Sequence, residues 1–258
     1  MHHKTIGFIG GGRITRIFVE GWQRAGKLPA NITVSDANGE AVGKLKEKFP
    51  TLQTSQDNVE AAKKDIVFLA VHPPVVAAVC EQIKGALNPD AILISLAPKF
   101  TINKLSELLG GFKRIVRVIP NAPSIIGAGY NPCFFSAALT DADRGEVKQL
   151  LEPLGESPEV SEEKLEGYAI LTAMGPTYLW FQMQALREIA VGFGLTADEV
   201  NAGLKRMVCG SARTLVESGL SPQEVMDLIP VKPLAEIEPQ VTEAYKTKLP
   251  GVYQKIKP

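Results

Sequence analysis

Three consecutive glycines near the start of the chain form its clearest chemical pattern. They follow an apolar run over residues 5–9 and precede an amphipathic segment that begins at Arg13. A strand, a tight glycine turn and a helix N-terminus in this order bind the pyrophosphate of a dinucleotide, because the free N–H groups of the first helical turn face the negative charge. Gly10 allows the sharp turn, and Gly12 lets the backbone approach the phosphates without an intervening Cβ. An ordinary glycine-rich turn between a strand and a helix is the alternative.

The third small position of this pattern is occupied by Thr15, which predicts a slightly wider spacing of strand and helix. Farther on, Asp36 follows Gly12 at about the spacing expected for a carboxylate that binds a ribose 2′-hydroxyl. A carboxylate repels the 2′-phosphate of NADP, and no arginine follows at once to bind that phosphate. The sequence therefore leans slightly towards NAD, unless Asp36 only starts a turn.

The elements that must position these residues alternate through about the first 160 residues. The predicted strands lie at residues 5–9, 31–35, 65–71, 91–96, 115–119 and 133–137, and the predicted helices at 14–25, 40–48, 75–83, 101–109 and 144–151. Such alternation predicts an α/β fold with a mostly parallel sheet wrapped by helices. Ligands of these sheets bind outside the carboxyl ends of the strands, where the glycine turn and the other polar turns would lie.

Strand-like runs disappear after about Ser161. The remaining pattern predicts helices at residues 162–173, 176–193, 197–218, 223–228 and 239–255. We therefore expect a dinucleotide-binding domain over residues 1–160 and an all-helical domain over residues 161–258. The segment 178–186 is apolar around most of a helix, which requires burial on several sides. A second subunit could supply that covering surface, so a homodimer is expected.

Composition narrows the classes of partner. Lysines plus arginines number 28, as do aspartates plus glutamates, so no strong field favours nucleic acid or an anionic membrane. No apolar run approaches the ~20 residues that span a bilayer, and the first strand begins too early to leave room for a signal peptide. Three scattered cysteines are typical of reduced thiols in a cytoplasmic protein. No metal site is predicted, because His2, His3 and His72 lack clustered ligands.

Several turns, taken in order, resemble the pyrroline-5-carboxylate reductase family over nearly the whole chain. The segments that carry the resemblance are residues 6–12, 34–38, 57–58 with 60–61, 68–73, 93–97, 117–123 and 175–178. The resemblance implies an N-terminal Rossmann domain and a C-terminal helical domain that intertwines in a dimer. It also implies reduction of the C=N bond of a cyclic imino acid to proline with NADPH or NADH.

Together with the glycine pattern, the resemblance implies a set of cofactor contacts. These are Gly10, Gly11, Gly12, Arg13, Ile14, Ser35, Asp36, Asn58, Ala70, Val71, His72, Pro73, Leu96 and Ala97. Within this set, the three glycines hold the pyrophosphate, and Leu96 and Ala97 lie on the nicotinamide side. His72 stands where the family usually has lysine, and its alternative role is that of a strand-end residue packed beside prolines.

The substrate half departs from the family. Residues 172–174 read Thr-Ala-Met where the family usually has Ser-Gly-Ser, and residues 227–236 lack its Ser-Pro-Gly-Gly-Thr-Thr turn. Residues 98–99 are Pro-Lys where the family usually has Ala-Gly. Altered pocket chemistry on a kept scaffold is what a changed substrate would require. The expected substrate contacts are Met174, Gly175, Pro176, Lys99 and Lys232.

Hydride transfer is chiefly the chemistry of the cofactor, and a pyrrolinium substrate can arrive already protonated, so a strong general acid is not mandatory. The candidate catalytic residues are Asn121, Thr172 and Tyr178. Asn121 could instead cap a turn, Thr172 could bond back to its own helix, and Tyr178 could serve packing. Lys99 and Lys232 could each pair with a substrate carboxylate or remain solvated.

The leading expectation is a reductase that forms proline. One alternative keeps the fold and cofactor but changes the substrate to another small imine or carbonyl compound. The other is a dinucleotide-binding regulatory protein without turnover.

Overall fold

The structure is a computed structural model that describes residues 4–258. The chain forms two compact units, one of residues 4–174 with Val252–Pro258 and one of Gly175–Gly251. This division falls later than residue 160 because Leu165 and Ala169 pack with Ile119 in a small core cluster of the first unit. The domain boundary drawn from composition stays a prediction.

Seven strands form the main sheet of the first unit, in the order β3-β2-β1-β4-β5-β6-β8. They are β1 (Ile6–Ile9), β2 (Ile32–Ser35), β3 (Gln53–Ser55), β4 (Ile66–Leu69), β5 (Ile92–Ser95), β6 (Ile115–Val118) and β8 (Cys133–Phe135). Only β8 runs antiparallel, against β6. The chain proceeds from β1 towards β3 and then from β4 in the opposite direction. The strand order therefore reverses between β1 and β4, which opens a crevice at their carboxyl ends.

Helices cover both faces of this sheet. They are α1 (Arg13–Arg24), α2 (Gly39–Lys48), α3 (Asn58–Ala62), α4 (Val76–Ile83), α5 (Ile102–Leu108), α6 (Asp141–Leu151) and α7 (Leu165–Tyr168). Short 3-10 helices span Pro73–Val75, Ala122–Ile126, Glu152–Leu154 and Glu162–Lys164, a π-helix spans Ala169–Ala173, and a two-stranded pair joins β7 (Gly129–Tyr130) to β9 (Gly155–Glu156). The α/β fold with a mostly parallel sheet is confirmed, whereas β3 and α3 had not been predicted.

Aromatic packing fixes the two strands beside the crevice. Phe8 of β1 and Phe68 of β4 are partners in register, and their rings stack with centroids 4.4 Å apart. Phe18 and Trp22 of α1 pack against both rings, and the Trp22 indole N–H donates to the carbonyl of Leu150 at 2.8 Å. Each fully buried large apolar side chain contributes about 1.5–3 kcal/mol. The two strands beside the crevice are consequently held firmly in place.

The second unit consists of helices. These are α8 (Gly175–Gly192), α9 (Ala197–Glu217), α10 (Pro222–Asp227) and α11 (Glu238–Ile256), whose last residues belong to the first unit. Thr196 and Ser221 begin α9 and α10 with capping boxes. The apolar residues of α8 are exposed at Leu179, Trp180, Phe181, Leu186, Ile189 and Val191. Within residues 4–258, no helix is long and apolar enough to cross a membrane.

Candidate functional site

A cleft lies where the strand order reverses. Gly10 leaves β1 with φ of +108°, and a Cβ added there would lie 2.5 Å from the carbonyl oxygen of Ala70 at the end of β4. Only glycine meets both conditions without strain. The cleft encloses about 460 Å³, within the range usual for small-molecule sites.

Most of the predicted cofactor residues line this cleft. They are Gly10, Gly12, Arg13, Ile14, Asp36, Ala70, Val71, His72, Pro73 and Leu96. The cleft is also lined by six residues that were not predicted as site residues, namely Val75, Pro98, Ile119, Pro120, Ala169 and Ala173. These six are apolar residues of turns and helices, and their only signal in the sequence is their position after a strand or beside a candidate residue.

Four predicted cofactor residues lie behind the lining. The Ser35 hydroxyl is fully buried and donates to Asn58 Oδ1 at 3.0 Å, and Asn58 Nδ2 donates to Gln82 Oε1 at 2.9 Å. Ala97 is buried at the end of β5. Gly11 is buried at the glycine turn. None of these four residues is part of the lining, and a direct contact with the cofactor stays a prediction for each of them.

The glycine turn leaves the amino end of α1 suited to an anion. Gly12 is the N-cap residue, so no side chain caps the first turn, and that turn contains no acidic residue. A Cβ added at Gly12 would meet no atom within 4 Å, which shows that the space beside the turn is open. Free N–H groups, the helix dipole and open space together fit a pyrophosphate.

Asp36 joins the glycine turn to the end of β2. Its Oδ2 accepts a hydrogen bond from the Gly11 N–H at 2.8 Å, and its Oδ1 accepts one from the Asn38 N–H at 2.8 Å. An ionised carboxylate has about four acceptor positions, so these bonds leave capacity for a ribose hydroxyl. Asp36 thus both orders the turn and presents a negative charge to the cleft. This charge favours neither cofactor decisively.

Thr15 supports the same turn from inside α1. It is fully buried, and its hydroxyl donates to the Gly10 carbonyl at 2.5 Å. A helix approaches β1 closely at Gly7, where an added Cβ would lie 1.9 Å from the carbonyl oxygen of Ala61 in α3.

Two candidate catalytic residues, Asn121 and Thr172, are absent from the lining and hold the backbone next to it. Asn121 is buried, its Nδ2 donates to the Thr172 carbonyl at 3.3 Å, and its Oδ1 accepts from the Tyr130 N–H at 3.1 Å. The Thr172 hydroxyl donates to the Tyr168 carbonyl at 2.9 Å, as a helical threonine commonly does. The amide nitrogen and oxygen of the Asn121 side chain and the Thr172 hydroxyl therefore all have structural tasks. Catalytic roles for Asn121 and Thr172 stay predictions.

The π-helix Ala169–Ala173 forms an apolar wall of the cleft. Ala169, Ala173 and the following Met174 line it, as do Leu96 and Pro98 from the turn after β5. π-helical turns are rare and occur frequently at functional sites. Met174, a predicted substrate contact, thus lies among apolar neighbours in the first unit.

The other substrate and catalytic candidates are not among the residues that line the cleft. Lys99 is exposed in the turn after β5 with φ of +79°, and its N–H donates to Glu166 Oε1 at 3.1 Å. Gly175, Pro176 and Tyr178 belong to the second unit, where the Tyr178 ring meets Tyr245 edge-on at 5.7 Å. Lys232 is exposed between α10 and α11. Their roles stay predictions.

The described residues give little support for a reaction that uses a thiol or a metal ion. Burial raises the pKa of Cys80 to about 11 and that of Cys133 to about 12, so both thiols stay protonated at neutral pH. Residues 4–258 contain no group of three or more His, Cys, Asp or Glu side chains that could hold a metal ion. His2 and His3 lie outside the described residues.

The chain is similar in sequence to known oxidoreductases. Residues 5–99, which contain the glycine turn and strands β1–β5, match the family model described as "NADP oxidoreductase coenzyme F420-dependent". A pyrroline-5-carboxylate reductase of Pasteurella multocida is 30% identical over 224 residues, which are 84% of this chain and 81% of that protein.

Two solved structures are similar over nearly the whole chain. The pyrroline-5-carboxylate reductase of Coxiella burnetii has 30% identity and a TM-score of 0.69, with 98% of this chain and 94% of that one covered. The pyrroline carboxylate reductase of Plasmodium falciparum, solved with NADP bound, has 23% identity and a TM-score of 0.79, with 99% and 96% covered. The latter comparison shows the fold alone. From the sequence relatives, this chain belongs to the pyrroline-5-carboxylate reductase family.

Proposed function

We propose that this protein reduces the C=N bond of pyrroline-5-carboxylate to give proline, with NADPH or NADH as the hydride donor. The observation that carries the proposal is the cleft at the β1–β4 crossover, built by the Gly10–Gly12 turn in a chain of this family. The proposed reaction follows from membership of the family, and the cleft offers a binding site for the cofactor.

The residues of the cleft divide the work of binding. The N-terminus of α1 and Arg13 would hold the pyrophosphate, and Asp36 would accept hydrogen bonds from the ribose next to the adenine. When bound, NADPH or NADH supplies a hydride from C4 of its nicotinamide ring. The apolar walls at Leu96, Pro98 and Met174 would exclude water around that ring and orient the substrate beside it.

Asn121 and Thr172 would act on substrate geometry through the π-helix that they hold. A protonated imine already carries the positive charge that attracts a hydride, so the chain needs no strong proton donor. The proposed tasks of these residues are therefore orientation and exclusion of water.

Cofactor binding and turnover test the proposal together. A ligand present at about 100 times its Kd should raise the unfolding free energy by about 2.7 kcal/mol. We expect such a thermal shift with NADPH or NADH, and a kcat/KM of at least about 10⁴ M⁻¹s⁻¹ with pyrroline-5-carboxylate. A protein that shifts with neither cofactor would contradict the whole proposal.

A second candidate is the reduction of a different small imine or carbonyl compound. The apolar Met174 in the cleft wall favours it, since the resemblance leads one to expect a hydroxyl-bearing residue there. A panel of cyclic imines and keto acids separates the candidates: only trace activity on pyrroline-5-carboxylate beside a better substrate selects the second. Cofactor binding without turnover of any compound selects a regulatory protein.

We also propose that Lys232 or Lys99 pairs with the substrate carboxylate. Replacement of the responsible lysine by alanine should raise KM for the acidic substrate about tenfold at an unchanged Kd for the cofactor. Lys205→Ala, an exposed lysine of α9, is the matched control. An unchanged KM removes the tested lysine from the site.

We further propose that the protein is a cytoplasmic homodimer. The exposed apolar residues of α8 would be covered by a second copy, because a surface patch of this kind marks an interface. A reducing cytoplasm fits three free cysteines, of which Cys209 is exposed. Sedimentation at micromolar concentration tests the dimer, and cell fractionation tests the location.

A further inference from the structure

A buried ion pair lies beside the cleft and is not part of its lining. Arg117 of β6 contacts Glu166 of α7 through Nη2, and each side chain is only 1% exposed. Arg117 Nη1 also lies 3.2 Å from Glu162 Oε1, while its Nε has no hydrogen-bond partner within residues 4–258. Well-packed apolar residues often replace such pairs without loss of stability. The pair therefore calls for a task beyond stability.

Both carboxylates also bind the backbone that follows β5. Glu166 Oε1 accepts from the Lys99 N–H at 3.1 Å, and Glu162 Oε1 accepts from the Ile102 N–H at 2.7 Å. Arg117 holds the two acceptors in place from the neighbouring strand. The segment from the end of β5 to the first residue of α5 is thus tied by hydrogen bonds at two points to residues 162–168.

One of these points is strained. Among residues 4–258, Lys99 is the one non-glycine residue with positive φ, at +79°. Side chains with a Cβ rarely adopt this conformation, which persists only where the surroundings impose it. In this conformation the Lys99 N–H donates its hydrogen bond to Glu166.

The tied segments carry two walls of the same cleft. Leu96 and Pro98 line it immediately before Lys99, while Ala169 and Ala173 line it about one and two helical turns after Glu166. A shift of Glu166 against Lys99 would move one wall relative to the other. These walls lie at the end of the cleft assigned above to the nicotinamide and substrate.

We propose that Arg117 and Glu166 are positioning residues that set the separation of these two walls by holding Lys99 in its left-handed conformation. The proposal rests on the proposed reductase function. Hydride transfer needs the reacting atoms about 3–3.5 Å apart, and a misplacement of 1 Å can cost about 100-fold in rate. Binding of the cofactor pyrophosphate at the Gly10 end does not depend on this spacing.

The main test replaces the pair while keeping the volume filled. The double variant Arg117→Met/Glu166→Leu retains apolar packing but offers the Lys99 N–H no acceptor. We expect kcat for the best imine substrate to fall about 10- to 100-fold, while the Kd of NADPH and NADH changes less than about threefold. Arg144→Met/Glu159→Leu, which removes a partly exposed pair of the same unit, is the control and should keep kcat within about twofold.

Rescue separates positioning from simple stability. Adding Lys99→Gly to the double variant should restore about fivefold or more of kcat, because glycine adopts positive φ without help. Adding Lys99→Ala removes the same ammonium group but keeps a Cβ, and should restore nothing. An unchanged kcat in the double variant overturns the proposal, and so does equal rescue by glycine and alanine. If this double variant does not fold, Arg117→Leu/Glu166→Met, which also leaves the Lys99 N–H without a carboxylate acceptor, takes its place with the same two additions.

A readout without turnover keeps this test apart from the proposed function. The fluorescence of the nicotinamide ring of bound NADH reports its surroundings, so the double variant should change that emission at saturation and Lys99→Gly should restore it. A wild-type protein that binds NADH but reduces no imine rejects the reductase function alone. Unchanged emission in the double variant, with the cofactor bound, rejects the positioning proposal.

Discussion

The two units differ in how closely their glycines are packed. In the first unit, added Cβ atoms would lie closer than 3.0 Å to other atoms at Gly7, Gly10, Gly21, Gly39, Gly129 and Gly155, although they would meet nothing within 4 Å at eight other glycines. In the second unit they would meet nothing within 4 Å at Gly175, Gly192, Gly194, Gly203, Gly210, Gly219 and Gly251. Close packing around glycine within one chain is therefore confined to the first unit.

Apolar side chains repeat the contrast. The first unit buries large residues such as Phe8, Trp22 and Phe68 completely, while α8 and α9 expose Phe181 at 69% and Val216 at 77%. Large apolar side chains exposed on two helices are typical of a surface that another molecule covers. In the homodimer proposed above, one copy would build the cofactor half of the site, and the second unit would acquire its final packing from the other copy.

The largest effect is expected from Gly7→Ala, which tests the tight packing of the first unit. Because its Cβ would lie 1.9 Å from a backbone oxygen of α3, the helix must move away from β1. We expect the free energy of unfolding in urea to fall by about 3 kcal/mol or more.

Gly43→Ala is the matched control for this change. Gly43 is an exposed residue of α2 with no atom near its added Cβ, so the substitution should stabilise the protein by about 0.5–1 kcal/mol. Equal effects of the two substitutions would contradict the tight approach of α3 to β1.

The open surface of the second unit is tested by Phe181→Glu. In the proposed dimer the new carboxylate would be buried without a partner, so the dimer should weaken by about 2 kcal/mol, roughly 30-fold in Kd. Sedimentation equilibrium would then show a mass closer to one chain. Ile126→Glu, at a residue of the first unit that is 56% exposed, should leave the mass unchanged. If Phe181→Glu also leaves it unchanged, α8 is not the interface.

The same contrast explains which elements the sequence could reveal. Strands β1 and β4 are short apolar runs beside glycine or proline, and their burial pattern is legible residue by residue. The edge strand β3 contains Gln53, Thr54 and Ser55 and is largely exposed, so no apolar signal marks it. Helix α3, with only five residues, is too short to show a helical period.

The candidate site could be predicted only where backbone geometry demands a residue type. Gly10 and Gly12 are of this kind, and the cleft forms around them. The Thr172 hydroxyl bonds back to its own helix, an alternative that its position in a predicted helix had indicated. The tasks of Asn121 and Glu166, in contrast, depend on partners 51 and 67 residues away in the chain. Such long-range pairs leave no spacing pattern, and nothing in the apolar stretch around Ala169 distinguishes a π-helix from an α-helix.

A smaller effect is expected where the cofactor half faces solvent. Asp36→Asn keeps an oxygen that can accept from the Gly11 N–H but removes the negative charge that repels a 2′-phosphate. The ratio of kcat/KM for NADPH to that for NADH should rise about tenfold, which corresponds to about 1.4 kcal/mol. Asp90→Asn changes the net charge equally at an exposed site and should leave the ratio unchanged. A constant ratio in both variants would remove Asp36 from cofactor discrimination.

The smallest expected effect concerns the amino ends of β1 and β4, which lie opposite the carboxyl ends that form the cleft. Asp65 Oδ2 accepts hydrogen bonds from the Thr5 N–H at 2.7 Å and the Thr5 hydroxyl at 2.8 Å. The backbone hydrogen bond from Thr5 is the main cause that lowers the pKa of Asp65; the Thr5 hydroxyl and the charges of Lys4 and Lys64 add to it, and partial burial opposes it.

The folded protein therefore holds the Asp65 carboxylate more tightly in its charged form than the unfolded chain, whose aspartate pKa is about 3.9. The resulting stability is present above about pH 4 and is lost as the pH falls through the lower folded pKa. Asp65→Asn should lower the free energy of unfolding by about 1 kcal/mol at pH 7. Urea unfolding at pH 7 and pH 3 should show the difference from wild type shrinking at the lower pH. A difference that stays constant would mean that packing around Thr5, rather than the charge of Asp65, is what the substitution disturbs.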